Sequence, residues 1–535
     1  MSSDGSDAGW TMLVHNVTSA PPTPTPVPPT TRPHHTPRNT TTGMEDPFVN
    51  SGDSVFTVCG VILVVLGVVS IGFAVFLRHL PPGRAYFSFC LLDLKTGAMI
   101  LPSQLLVVAS LVAVSVTGSP LESNPHTLEN AEVPLNHEHP GIGAQLPSNP
   151  ATLTTPSDTE AHEIRPLEIT SHDVQALENY FRRPMVKNAD QLPRKGTFVP
   201  TPWPGSYWPT YEDGINARWD PSQYSPSEKY GFAFNLDVGS FTEKLSRNNG
   251  ILAHSYRRKC TSNGDCAGLG DGSACAMRLG QTSGFCIPTW FGLCHAWAPA
   301  AILEPEPRCP VTKNGIKFEV MDIKALLTQI YDGANIPTVF TGTRYNGPDY
   351  GNDLVDQYGR YKNAAFRDVG PGFFHIATTN MLGLLNTTYV ADVTAGSEVW
   401  NQPIRGYEIL EQRPMTLEDG AKQFFNTATY PFNSAATKLI YVRMRLDWIL
   451  ESTQNGPHVP GLVDYYTRRH QYEYVLETDN ANNILGGEWV GNAKRNHPDF
   501  MWFATRRPAS NLVTWTGISY ADVRALLDAS VSGSC

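Results

Sequence analysis

The sequence predicts an α+β fold with disulfide-stapled loops in its C-terminal part, and three observations predict it. Of 535 residues, 43 are Pro and 44 are Gly, too many for a helical bundle or coiled coil. Segments of helical period and of strand period both occur within residues 201–535. Most of the nine cysteines fall in that same stretch, among Gly-, Asp- and Ser-rich loops, as in chains that mature in an oxidising compartment. With 17% charged residues and a formal charge of −10, the chain lacks the clustered Lys and Arg that phosphate neutralisation requires, so no nucleic-acid partner is expected.

Taken in order, residues 1–54 include Pro21-Pro22-Thr23-Pro24-Thr25-Pro26 and hold almost no aliphatic run. They read as disordered and extended. Residues 55–78 read as a transmembrane helix, uncharged from Val55 to Leu77 and ended by Arg78, since about 1.5 Å per residue carries such a run across a hydrocarbon core of about 30 Å. Residues 97–118 form a weaker apolar stretch, interrupted at Pro102, Ser103 and Gln104, that closes on the small residues of Val116-Thr117-Gly118 as a signal peptide does. Two readings stay open: the chain starts near Met99 and is secreted, or the two apolar segments form a membrane hairpin whose loop, with Arg78, Arg84 and Lys95, is cytoplasmic. Both place the C-terminal part outside the cell or at its surface, anchored through Val55 to Leu77 if that segment is retained. Sequons at Asn16, Asn39 and Asn386 agree with this location.

Residues 119–200 read as a linker or pro-segment. Pro, Ser, Thr, His and Glu dominate up to Pro166, after which Ser171 caps a short helix with Val174, Leu177, Tyr180 and Phe181 on one side. The pairs Arg182-Arg183 and Arg194-Lys195 follow, so the segment is either a removable inhibitor or a plain tether. In residues 201–535, Asp322 is placed to cap a helix bearing Ile323, Leu326, Leu327, Ile330 and Tyr331 on one face. Residues 438–448 and 472–476 read as strands, and Ser519 caps a last helix with Val523, Leu526 and Leu527 inward.

Cys59 and Cys90 belong to the apolar N-terminal region, which leaves Cys260, Cys266, Cys275, Cys286, Cys294, Cys309 and Cys535. Six can pair and one stays free. The four from Cys260 to Cys286 suit two bridges whose connectivity the sequence does not reveal, Cys309 and Cys535 suit a third, and Cys294 is left over. Gly292 permits a tight turn before Cys294, and the Ala/Trp run after it can begin a helix despite Pro299. A sulfur at a helix N-terminus is favoured as thiolate, below the usual thiol pKa of about 8.5. The plainer alternative is a bridged or inert buried cysteine.

A thiolate nucleophile needs a base and a group that orients the base. His295 adjoins Cys294 and so faces elsewhere on a helix. His375 follows the Gly370-Pro371-Gly372 turn in what reads as a strand, and Asp392 lies in a second strand. A hairpin folded at Gly383-Leu384 sets His375 opposite Asp392, with Cβ atoms about 4.5–5.5 Å apart. Cys294, His375 and Asp392 are therefore the expected catalytic residues, with His497 beside Asp499 as a weaker rival base.

The segment Ser397-Glu398-Val399-Trp400-Asn401-Gln402-Pro403-Ile404-Arg405-Gly406-Tyr407-Glu408 resembles the short surface peptide by which plants recognise the secreted elicitor transglutaminases of oomycetes. The stretches 206–216, 290–299, 484–489 and 496–500 resemble the same family, and the likeness spans residues 200–535. It implies a papain-like catalytic core and a calcium-dependent acyltransferase that forms isopeptide cross-links between protein Gln and Lys side chains through a thioester on Cys294. It also implies a plant receptor reading Val399 to Glu411, although Ile404, Tyr407 and Glu408 stand where the family usually has Val, Phe and Lys. Papain-like peptidases generally place Trp directly after the nucleophile, where His295 stands here. Exposed aromatics such as Trp203, Trp208, Trp219 and Trp400 are candidates to keep water from the thioester. Asp265 and Asp271 are the only calcium candidates in the Cys loops, and turn residues are their plainer reading. Alternatives are a papain-like cysteine peptidase and a catalytically silent surface elicitor protein.

Overall fold

The computed structural model describes residues 133–143, 172–349, 351, 353–452 and 460–535, and the backbone of three strands further upstream. The chain divides into two units, 1–122 and 123–535. In the first, Val61–Leu66, Val69–Arg78 and Tyr86–Asp93 form an antiparallel sheet. This corrects the expected membrane-spanning helix, because most of that apolar run is two paired strands. The run is rich in Val, Ile and Phe, whose branched or aromatic side chains suit a pleated strand better than a helix. No described helix is long and apolar enough to cross a membrane. Residues 1–54 and the segment 97–118 lie outside the described residues.

The second unit is built on a nine-stranded antiparallel sheet. Its strands, in chain order, are β1 Val133–Pro134, β2 Lys195–Thr197, β3 Pro337–Gly342, β4 Val390–Asp392, β5 Asn401–Met415, β6 Lys438–Ile449, β7 Thr467–Thr478, β8 Ile484–Trp489 and β9 Phe500–Ala504. Across the sheet they run β8-β7-β6-β5-β4-β9-β3-β1, with β2 also on β5. The strands expected at 438–448 and 472–476 lie within β6 and β7. Five helices matter for the site: α1 His172–Phe181, α2 Cys294–Leu303, α3 Val320–Asp332, α4 Pro371–Thr378 and α5 Tyr520–Ser532.

The helix expected after Ser171 is α1, and it is no tether. Val174, Ala176 and Leu177, with Met185, Ala189 and Leu192, pack into the same apolar cluster as β5, β6 and β7. Residues 172–200 thus belong to the body rather than to a linker. In α3 the N-cap is Glu319, and Asp322 sits at the third helical position, closing a reciprocal capping box and pairing with buried Lys229 at 2.5 Å. In α5, Ser519 caps as expected by accepting from Asp522 N–H.

A second apolar cluster joins α2, α3 and α5 through Trp297, Ala300, Leu326, Ile330, Val523 and Leu527. Three disulfides hold the periphery: Cys260–Cys275, Cys266–Cys286 and Cys309–Cys535. Cys294 is free and buried, as expected by elimination. The third bridge fixes the chain end beside α5, where Cys309 N–H donates to Ser530 Oγ.

Candidate active site

Cys294 opens α2. A Cβ on Gly292 would lie 2.5 Å from the Tyr207 carbonyl oxygen, so only glycine lets the chain turn here against Tyr207. Leu293 N–H donates to that same carbonyl at 2.5 Å, and the helix starts at the next residue. Pro299 is inside the helix; it removes one main-chain donor without ending an element that Trp297 and the alanines anchor on all sides.

Around the sulfur, Asn401 Nδ2 lies 3.4 Å from Sγ, and the thiol points to the Val399 carbonyl at 3.8 Å. Asn401 is itself held, since Trp502 Nε1 donates to its Oδ1 at 2.8 Å. The Trp400 and Tyr207 rings pack against each other in a tilted arrangement, with centroids 5.5 Å apart. Gln402 Nε2 donates to Glu451 at 2.5 Å, and burial carries the Glu451 carboxyl up to about 7. Burial also raises the Cys294 thiol, to about 12, opposed by its bonds to Asn401 and reinforced by the negative charges of Glu451 and Asp392. The expectation of a lowered thiol pKa fails in this closed arrangement because desolvation outweighs a helix N-terminus.

Asp392 sits on β4 directly across the ladder from Asn401, so both side chains leave the same face of the sheet. Its Oδ1 accepts from Thr394 N–H, Thr394 Oγ1 and Trp400 N–H at 3.2, 2.9 and 3.0 Å, while its Oδ2 is buried without a hydrogen-bond partner. Burial raises this carboxyl to about 7 against those bonds and the nearby Arg344 guanidinium. Asp499 is driven upward as well, by burial and then by Asp392.

His375 lies on α4. Gly370-Pro371 does not end a turn into a strand; Pro371 takes the first position of α4, where its missing N–H costs nothing. The expected hairpin between His375 and Asp392 therefore does not form, and β4 pairs instead with β5 and β9. His375 Nδ1 is bonded to Tyr474 Oη at 2.8 Å, its Nε2 has no hydrogen-bond partner, and burial lowers it to about 3. No hydrogen bond joins it to Cys294 or Asp392.

Other expectations resolve simply. His295 turns to Asp332 at 3.0 Å, away from the sulfur. Both ring nitrogens of His497 are bonded to main-chain carbonyls, of Ala493 and Phe366, which makes it a structural residue. Trp203 and Trp208 are buried in the same apolar cluster as Cys294 and donate to Glu304 O and Thr328 Oγ1, Trp219 lies beside Lys229, and Trp400 stands between Val399 and Asn401, both of which meet Cys294 Sγ. Asp265 accepts from Thr261 and Ser262 N–H groups, and Asp271 pairs with Arg257 at 2.5 Å. Both are turn residues with engaged carboxylates, and they do not fit calcium. Among the described residues the only cluster with metal-ligand spacing is Cys260, Cys266 and Cys286, whose sulfurs are in disulfides.

The supposed surface peptide is largely interior. From Val399 to Glu411 it forms most of β5, with Val399, Asn401, Ile404 and Tyr407 buried and only Leu410 exposed. Sequence reasoning missed Asn401, Arg344 and Trp502 as site residues. The one available signal was that Asn401 stands inside the longest family-like motif.

The family model described as transglutaminase elicitor matches residues 173–535. The crystal structure of the GP42 transglutaminase from Phytophthora sojae is similar at 48% identity and a TM-score of 0.61, over 68% of this chain and 98% of that one. No curated protein matches the chain.

Proposed function

Since the chain belongs to the transglutaminase elicitor family, we propose that it joins protein glutamine to lysine through a thioester on Cys294, using the papain-like device of a cysteine at the head of a helix packed on a sheet. The observation that carries this reading is an unoxidised sulfur at the start of α2 with the Asn401 amide 3.4 Å away.

Cys294 Sγ attacks the carboxamide carbon of a glutamine, and the carbonyl oxygen takes the negative charge. Asn401 Nδ2 and the Cys294 N–H are the donors that meet it, and each such donor typically contributes about 2.7–4 kcal/mol. Ammonia leaves with a proton, the acyl group stays on sulfur, and a lysine amine then displaces the thiol to give the isopeptide. Asp392 is the acid–base partner in this reading. It lies across the ladder from Asn401, one of its oxygens is unbonded, and its carboxyl near 7 exchanges protons at neutral pH. His375, bonded to Tyr474, takes no step. Trp400 and Tyr207 shield the thioester from water.

Fluorescent amine incorporation into a glutamine protein tests this, and Cys294→Ser is expected to abolish it. Ammonia release that proceeds without a lysine donor would instead mark a hydrolase. Among the described residues no group of three or more carboxylates converges as a calcium site; adding calcium to chelator-treated protein tests the dependence that the resemblance implies. Three disulfides accord with an extracellular location. Plant recognition of Val399 to Glu411 then requires the strand to be released by unfolding or proteolysis. A synthetic peptide of that segment is expected to elicit a response that the intact chain does not.

A further inference from the structure

Residues 133–143 lie before the first residue the family model matches, yet they are seated on the candidate active site. The Gly141 carbonyl accepts from Asn401 Nδ2 at 2.7 Å, the same amide that lies 3.4 Å from Cys294 Sγ. Arg344 grips the carbonyls on either side: Nη1 donates to Pro140 O and Ile142 O at 3.1 and 2.6 Å, and Nη2 to Gly143 O at 3.2 Å. His139 is buried with its ring 4.7 Å from that of Trp502. Its Nδ1 accepts from Gly141 N–H, and its Nε2 is bonded to Thr338 Oγ1. Upstream, Leu135 is buried against Ala298 of α2 and Trp502, and β1 extends the sheet edge by pairing with Pro337 and Thr338.

Val133 and Pro134 add to the sheet edge, and the turns that follow, from Asn136 to Gly143, present main-chain carbonyls to fixed donors while Leu135 and His139 are buried, as in peptide recognition at a sheet edge. One carbonyl rests on the amide assigned to the oxyanion. We propose that the groove between β3, β5 and Arg344 is the acyl-donor peptide site, and that residues 133–143 fill it as an intramolecular substrate mimic. The inference rests on the transglutaminase reading for the word donor, but not for the occupancy. The segment, Val-Pro-Leu-Asn-His-Glu-His-Pro-Gly-Ile-Gly, contains no glutamine, so it takes the place of a donor without offering a carboxamide for transfer. Arg344 becomes the residue that reads donor main chain once the segment leaves.

Two properties confine the seat to glycine at position 141. A Cβ there would lie 3.0 Å from His139 Nδ1 and 3.2 Å from Asn401 Oδ1. Gly143 is tighter still, with a Cβ 2.7 Å from the Trp290 ring. A branched side chain at either position has no room while the segment stays in place.

The test uses the full chain with a site-specific protease sequence inserted between residues 150 and 160. Two rates are measured before cleavage and after cleavage with dilution: iodoacetamide labelling of Cys294, mapped by mass spectrometry, and amine incorporation. Release of a tethered segment removes an effective concentration in the millimolar range, so labelling is expected to rise at least tenfold. A synthetic peptide of residues 133–143 should restore protection and compete with a glutamine donor peptide but not with the amine. Gly141→Val should speed labelling in the uncleaved chain, and Arg344→Lys in the cleaved chain, which keeps a cation beside Asp392 but loses the two-nitrogen grip on main-chain carbonyls, should raise the donor KM about tenfold. Unchanged labelling after removal of the segment, or inhibition by the peptide that donor does not relieve, overturns the proposal. Faster labelling with no amine transfer upholds the occupancy and overturns the transglutaminase reading instead.

Discussion

If the proposed reaction holds, replacing Asn401 with Ala, in the chain freed of residues 133–143, removes one of the two donors assigned to the developing oxyanion. Its Nδ2 holds a carbonyl oxygen at 2.7 Å, within the 2.7–3.1 Å range at which such donors act fully, so kcat is expected to fall about 10²–10³-fold, or roughly 3–4 kcal/mol. The same substitution orphans the Trp502 indole N–H, which donates to Asn401 Oδ1 at 2.8 Å from a buried ring, and that costs about 1–3 kcal/mol of stability. Adding Trp502→Phe deletes the orphaned donor and should return part of the stability but none of the rate. The assay is steady-state amine incorporation with the glutamine peptide varied, beside urea denaturation of each variant. The drop is expected in kcat, with KM within a few-fold, because the contact strengthens as charge builds on the oxygen. A kcat within threefold of the parent, in a variant that is folded and still alkylated at Cys294, refutes the role given to Asn401.

Four more outcomes are expected. If Asp392 takes the proton, kcat/KM rises as pH passes about 7 and Asp392→Asn flattens that limb; a limb that survives the substitution excludes it. The same carboxyl lies above its unfolded value of about 3.9, so its stabilising contribution is complete below that pH and is lost as pH rises through about 7. Denaturant midpoints at pH 5 and pH 8 should differ less in Asp392→Asn than in the parent. His375→Gln should keep amine transfer within threefold while lowering stability, since the ring is bonded to Tyr474 in the sheet core; a hundredfold loss of kcat would restore the expected triad. Replacing both Cys309 and Cys535 with Ser opens a loop of 226 residues, which chain entropy values at about 5 kcal/mol, read as a fall in the guanidinium midpoint.

What the sequence made legible was local. The odd cysteine, the glycine before it and the helix after it are neighbours, and so are Ser519 and the helix it caps. Val, Tyr and Leu at alternate places in β6 and β7 identify strands without further context. His375 was misread because Gly-Pro-Gly followed by Phe-Phe-His-Ile suits a turn into a strand as well as a helix begun by Pro371, and only packing against β7 and β8 decides between them. The apolar run from Val61 was misread for a related reason, since length favoured a spanning helix and side-chain branching favoured strands. Asn401, Trp502, Arg344 and Gly141 meet from four distant places in the chain, and no spacing rule links them. Their encounter depends on sheet order, with β4 between β5 and β9.

Among the described residues three cystines stand beside the unpaired Cys294 sulfur, and an accessible thiolate can attack a neighbouring bridge. Burial pushes the thiol up to about 12, so the reactive anion is scarce at neutral pH and exchange at that sulfur is slowed. Seclusion at position 294 therefore protects the bridges at Cys260 and Cys266 from exchange with that sulfur once the chain has folded.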